Sequence, residues 1–153
     1  MFVVLALLIG IVAGLRAFTA PAVVAWAAYL GWLPLGGTPL AFLTHVAAPW
    51  ILTVLAIVEL IGDQLPRTPS RKVPVQFGTR ILTGALSGAA MGAAGGQLVV
   101  GLVAGVAGAI IGTLGGAAAR AKLAAAFKRD LPAGLIEDAV AIIGAILIAG
   151  AAT

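Results

Sequence analysis

The chain has no cysteine, one histidine and only 9% charged residues among its 153. Without cysteine there are no disulfides, no thiolate metal ligands and no cysteine nucleophile. His45 alone cannot build a histidine-based zinc site, so neither a metal nor a cofactor is expected. Charge this sparse, beside 62% apolar residues, departs from a soluble domain, which is about half apolar and about a quarter charged. A soluble core of this size cannot hide so much apolar surface, and the expected solvent is lipid. The basic residues, nine in all, are too few and too unevenly placed for a nucleic-acid surface. A phosphate loop, a G-x-S-x-G elbow and a metal-ligand cluster are also missing, so an enzyme is not expected.

Apolar runs and glycine are what the chain has in quantity. A spanning helix needs about 20 mostly apolar residues. The pattern predicts an all-α, polytopic integral membrane bundle forming one domain, 1–153, with five spans near 14–33, 41–62, 79–97, 98–118 and 134–152. Between them lie "GWLPLGGTPL", "QLPRTPSRKVPVQFG", a tight turn near Gly95–Gln97, and "RAKLAAAFKRDLPAG". Residues 1–13 are too few to span again. They are expected to re-enter, to lie at the interface, or to continue the first span as one long tilted helix. No Lys or Arg precedes "FVVLALLIGIVAGL", so a cleaved signal peptide is not expected.

Charge sets the orientation. Arg67, Arg71, Lys72 and Arg80 flank one connector, and Arg120, Lys122, Lys128 and Arg129 flank another. The 31–40 connector and the 95–98 turn carry none. The positive-inside rule then makes the basic side cytoplasmic and leaves the C-terminus outside, in the inner membrane of a prokaryote. Trp26, Tyr29, Trp32 and Trp50 bracket the uncharged connector as an outer interfacial belt would. Arg67, Arg71, Lys72, Lys128 and Arg129 are candidate contacts for anionic lipid headgroups.

"GLRAFTAP", 14–21, interrupts the first apolar run. Gly14 and Pro21 are read as break signals there. Counting about 20 residues back from Trp32 at 1.5 Å each puts Arg16 near the cytoplasmic boundary. The motif G-x-R-x-x-T recurs at Gly78-Thr-Arg80-Ile-Leu-Thr83, which raises a two-span repeat running in parallel. Thr19 and Thr83 are candidates to cap helices or to bond back to carbonyls. Glu59 and Asp63, four apart, share a helix face at the end of the second span. Glu137 and Asp138 fall in the first turns of the last. These acids, Arg16 and Arg80 are expected at one depth.

Two readings of that cluster stay open. One is a polar site for a cation or proton, with the four carboxylates as acceptors and the two arginines as counter-charges, in a small transporter or channel-like protein. An anion reading survives if the carboxylates are protonated. The other is a set of structural ion pairs in a membrane scaffold or lipid-interacting subunit. Gly84, Gly88, Gly92 and Gly96, and Gly108, Gly112 and Gly116, recur every four residues, a spacing that lets helix backbones approach. Packing within the chain and pairing in a homodimer or higher homo-oligomer both fit it. His45 is read as an interfacial residue.

The elements "GLRAFTAP", "VELIGDQLP", "RTPSR" followed by "FGTRILTGALSGAAMG", and "EDAVAI" resemble a bacterial family of small membrane proteins catalogued as a domain of unknown function. The acid-x-x-x-Asp-x-x-Pro element of that family is matched by Glu59, Asp63 and Pro66, and its arginine opening a Gly/Ala-rich span by Arg80. The resemblance implies a multi-span bundle and no established activity.

Overall fold

The computed structural model describes residues 2–62, 74–127 and 130–152, and every regular element among them is helical. The helices are α1 (Phe2–Leu15), α2 (Thr19–Tyr29), α3 (Ala47–Gly62), α4 (Pro74–Ala94), α5 (Leu98–Phe127) and α6 (Asp130–Ala151), with one 3₁₀ turn at Ala41–Thr44. Leu98–Leu123 of α5, 26 residues, is long and apolar enough to cross a membrane by length and composition. Phe2–Leu15 and Ala47–Glu59 are apolar but shorter.

Proline explains several starts. Pro74 opens α4, and Pro21, Pro49 and Pro132 each stand third in α2, α3 and α6. The first turn of a helix has no intrahelical use for its N–H groups, so a proline there removes no bond and pre-sets φ. Pro21 therefore begins a helix and does not break one. The charged connector read before the last span is likewise mostly helical: α5 runs on to Phe127 and α6 starts at Asp130. Its Ala, Lys and Arg residues are good helix formers, and nothing local stops them.

Apolar on every side, α1 shows no polar stripe to mark its outside; only Val4 and Leu8 along it are exposed. It lies at the centre, against α5, α4 and α6. Small residues set these contacts. A Cβ added at Gly10 would strike Gly105, and one at Gly14 would come within 2.5 Å of the Ala109 carbonyl oxygen and the Thr113 nitrogen. Gly108 and Gly112 face the carbonyls of Leu7 and Ile11. Contacts that climb together in sequence make α1 and α5 parallel. α4 and α5 are antiparallel: Gly84 meets Gly105 and Ala109, Gly88 meets Gly101 and Gly105, and Gly92 meets Gln97 and Gly101. The glycine seams are thus filled inside the chain. Gly96 is not part of one. It sits past the end of α4 at φ 77°, with open space where a Cβ would go, and makes the α4–α5 turn. Gly116 lies half-buried in α5.

The first expected span, 14–33, is two pieces. α1 ends at Leu15, and α2 begins at Thr19 and has only 11 residues. α2 turns back beside α6 and α4: Ala20, Val24 and Ala27 share one core with Ala141, Ala145 and Ala149 and with Ala89–Met91. The result is a helical hairpin with Arg16–Phe18 at its tip. Residues 2–13 are its first arm, so of the three expectations for 1–13, a helix continuous with the first span is excluded. Gly31 at φ 85° ends α2, where the Trp32 N–H bonds the Ala27 carbonyl and the Gly31 N–H bonds that of Ala28. That pair of bonds is a Schellman closure. At this end Trp26 meets Trp50 edge-on at 5.2 Å and donates from Nε1 to Thr53 Oγ1 at 2.7 Å, tying α2 to α3.

Candidate functional site

A helix end leaves orphan carbonyls on one side of a break and orphan N–H groups on the other. Both kinds meet side chains from distant helices at the hairpin tip. Arg80 of α4 donates from Nη1 to the carbonyls of Gly14 at 3.0 Å and Leu15 at 2.9 Å. Arg16 Nη1 adds a bond to Leu15 O at 3.1 Å, and Thr113 Oγ1 of α5 lies 3.4 Å from Gly14 O. Across the break, Glu59 of α3 accepts from the Ala17 N–H through Oε2 at 2.8 Å and from the Phe18 N–H through Oε1 at 3.0 Å. Phe18, the N-cap residue, has no side chain able to do this. A cation at a helix C-terminus and an anion at an N-terminus are both favoured by the helix dipole, so the two ends of the break are neutralised with the correct sign.

The two caps also face each other, with Arg80 Nη2 3.8 Å from Glu59 Oε2. Arg16 turns the other way, toward α6. Its Nε and Nη2 engage Asp138 Oδ1, and its Nη1 lies 3.6 Å from Glu137 Oε1. Arg120 of α5 closes the chain of charges at 3.5 Å from Glu137 Oε2. Arg16 is fully buried and Arg80 is 2% exposed, so this is an interior network.

The structure brings Arg16, Glu59, Arg80, Glu137 and Asp138 together; Asp63 lies outside the described residues. So do Arg67, Arg71, Lys72, Lys128 and Arg129, the candidate lipid contacts. Arg120 was not expected, yet it completes the network. Its signal was present: it stands seven residues after Thr113 on the face of α5 that meets α1. With it, the described cluster holds three basic and three acidic groups. The surplus of negative charge that favoured a cation is therefore absent among the described residues. The count back from Trp32 presumes one straight helix over 14–33, and α2, with 11 residues and a length of about 16 Å, does not supply it.

The remaining expected residues have other tasks. Gly14 lies inside α1 as a close-packing residue. Thr83 bonds back to the Arg80 carbonyl at 3.2 Å. Thr19 is the first residue of α2 but does not cap it, and its buried Oγ1, like that of Ser87, has no hydrogen-bond partner. The echo of G-x-R-x-x-T is no backbone repeat: one copy is the break and the other lies within continuous α4. The two part because the Ala17 and Phe18 N–H groups bond to Glu59 and not to a preceding turn. His45 is exposed and accepts the Ala47 N–H at Nδ1, 3.1 Å. Among the described residues no three of His, Asp and Glu come together as metal ligands.

Chemically, the arrangement is a backbone site made from both ends of a broken helix, held shut by a base and a carboxylate that also attract each other. The family described as "Domain of unknown function (DUF4126)" matches residues 3–152, and the chain belongs to it. No curated protein and no solved structure matches the chain.

Proposed function

We propose that this member of the DUF4126 family is a multi-pass protein of the cytoplasmic membrane that acts as a small transporter or channel-like protein for a proton-coupled small solute. The charged network would lie toward the cytoplasm and both termini on the far side. The polarity of the molecule supports a lipid setting. Val58, Ile61, Val103 and Leu147 are about 60–70% exposed, while Arg16 and Arg80 are buried. Non-helical backbone at membrane depth is tolerated where protein buries it or where it lines a cavity, and transporters place binding sites at such discontinuous helices.

The observation that carries the reading is the double cap. A helix broken for packing alone needs no matched pair of ionised side chains, brought from α3 and α4, on its two raw ends. Glu59 is the proton acceptor. Protonation removes the charged cap from Ala17 and Phe18 and the attraction to Arg80 together, which frees the hairpin tip. Purified protein in liposomes with an internal pH dye should take up protons when a co-transported solute is present, and Glu59→Gln should abolish that uptake while the protein stays folded. Absence of uptake across a broad panel of small solutes, or uptake unchanged by Glu59→Gln, refutes the proposal.

The second reading is a scaffold or lipid-interacting subunit. It is favoured by the balance of three basic against three acidic groups, and by helix contacts so close that glycine backbones touch. Under it, Glu59→Gln lowers stability and wild type carries no flux. Orientation is tested separately by cysteines at Gly36 and Lys122, both exposed. Labelling from opposite sides of the membrane is expected, and same-side labelling sinks the topology.

A further inference from the structure

Residues four apart on a helix share a face, and along α6 one such row is buried: Glu137, Ala141, Ala145 and Ala149. The three alanines belong to the core that includes α1 and α2. Glu137 stands where a fourth alanine would continue the row. Around it Leu135, Ile136 and Val140 are exposed, so apolar packing fades within one turn of Ala141. Charge is what ties these described turns to the bundle. Asp138 and Glu137 sit on Arg16, and Glu137 also on Arg120. The Asp138 and Arg120 side chains are 14% and 16% exposed, so water reaches the rim of this clasp, while Arg16 behind it is fully buried. Farther along α6, a Cβ added at Gly144 would come no nearer than 3.9 Å to Val12 Cγ2, an ordinary contact. A glycine inside a helix, without a tight contact to hold it, is a low-cost place to bend.

We infer that the first turns of α6 are a gate over the hairpin tip, swinging about Gly144 and clasped shut by Arg16 on Asp138 and Arg120 on Glu137. This supplies the transport reading with its opening step and rests on that reading for its purpose; the movement itself does not depend on it. The two halves of α6 are held in different ways. Small residues let helix backbones pack closely, and the alanine row gains that contact only while it stays in place. Ion pairs at a wetted rim contribute little net stability, because water solvates both partners once they part. Opening therefore costs little at the Glu137 end and much at the Ala149 end. It carries Glu137 and Asp138 outward on α6 and leaves Arg16, at the break between α1 and α2, facing water.

A chain without cysteine makes the test direct. Ala141→Cys and Ala149→Cys, at two fully buried positions of the same row, are made separately in the full chain and labelled in detergent micelles with a water-soluble maleimide. Adding Arg120→Gln should speed labelling at 141 about tenfold or more and leave 149 unchanged, whereas Arg120→Lys should stay within about twofold of the parent. Salt near 1 M, where the Debye length is about 3 Å, should also speed labelling at 141 alone. Gly144→Ala, which fits without displacing a neighbour, should slow it. No rise at 141 with Arg120→Gln, or an equal rise at both positions, overturns the inference; unchanged labelling in Gly144→Ala overturns the pivot. If Ala141→Cys does not fold, amide hydrogen exchange decides. Exchange at 138–142 about tenfold faster in Arg120→Gln than in wild type, with 145–149 unchanged, supports the gate, and a uniform change or none overturns it. Selective labelling without flux in liposomes removes the transport reading and keeps the gate. Flux without selective labelling does the reverse.

Discussion

Arg80→Met is the sharpest test of how the broken helix is held. Met preserves much of the length and packing of the side chain but gives up both bonds to the Gly14 and Leu15 carbonyls and the approach to Glu59. Hydrogen bonds from charged groups are worth about 1.5–3 kcal/mol each, and removing one partner of a buried pair costs about 3–5 kcal/mol. With Arg80 at 2% exposure there is no water to replace the lost donors, so a loss of about 3–5 kcal/mol is expected. Glu59→Gln keeps an acceptor for one of the two N–H groups, and about 1–3 kcal/mol is expected. The double variant leaves neither an orphan cation nor an orphan anion at the tip, so it should cost less than the sum of the two by about 1–2 kcal/mol. Unfolding by sodium dodecyl sulfate in mixed micelles, followed by helical circular dichroism, measures all four corners of the cycle. A loss under about 1 kcal/mol for Arg80→Met refutes the capping account. Additivity within about 0.5 kcal/mol shows instead that the two caps act separately.

Four further changes probe the frame. Gly88→Ala would drive a methyl to 2.6 Å from the Gly105 Cα and should lower Tm by several degrees, whereas Gly78→Ala, with nothing nearby, should gain up to about 1 kcal/mol from helix propensity alone. Equal effects at the two sites on a thermal melt would contradict the seam. Gly96→Ala meets no atoms but must hold φ 77°, so a loss of about 1–2 kcal/mol is expected on the same melt. Thr53→Val removes the acceptor for Trp26 Nε1 and should cost about 0.5–1.5 kcal/mol while altering the Trp emission; an unchanged spectrum counts against that bond.

Much of this site was legible because a chain with so few charges has few places to put them. Matching Glu59, Arg80, Glu137 and Asp138 to one depth needed only the helix ends and the pattern of basic residues. The break itself was another matter. Gly14 and Pro21 flagged the right stretch but neither makes the break; one packs and the other starts α2. What makes it is Glu59, 42 positions from Ala17, together with Arg80, 65 positions from Leu15. No local pattern encodes a partner that far away. The role of α1 was hidden for a related reason. A helix apolar all round has no readable face, and only the spacing of Gly10 and Gly14, the same that marked α4 and α5, pointed to its close contacts. Arg120 reads in the sequence as a flanking positive charge because the apolar run ends near 118. Its continuation to Phe127 makes the register to Thr113 meaningful.

The central place of α1 bears on how the chain is made. Its carbonyl end waits for Thr113, 99 positions later, and Arg16 waits for Asp138, 122 positions later. A ribosome therefore delivers the middle of the bundle well before the helices that enclose it. Until Glu59 and Arg80 follow, the two raw helix ends have no intended partners, and the Arg16 guanidinium waits longer still for Asp138; contacts of such long range form late. Under the membrane reading proposed above, Arg16 needs temporary shelter, whether at a headgroup layer or against the insertion machinery. Truncation before α6 should leave a product that inserts poorly and is degraded quickly, even though the missing helix is the last one made.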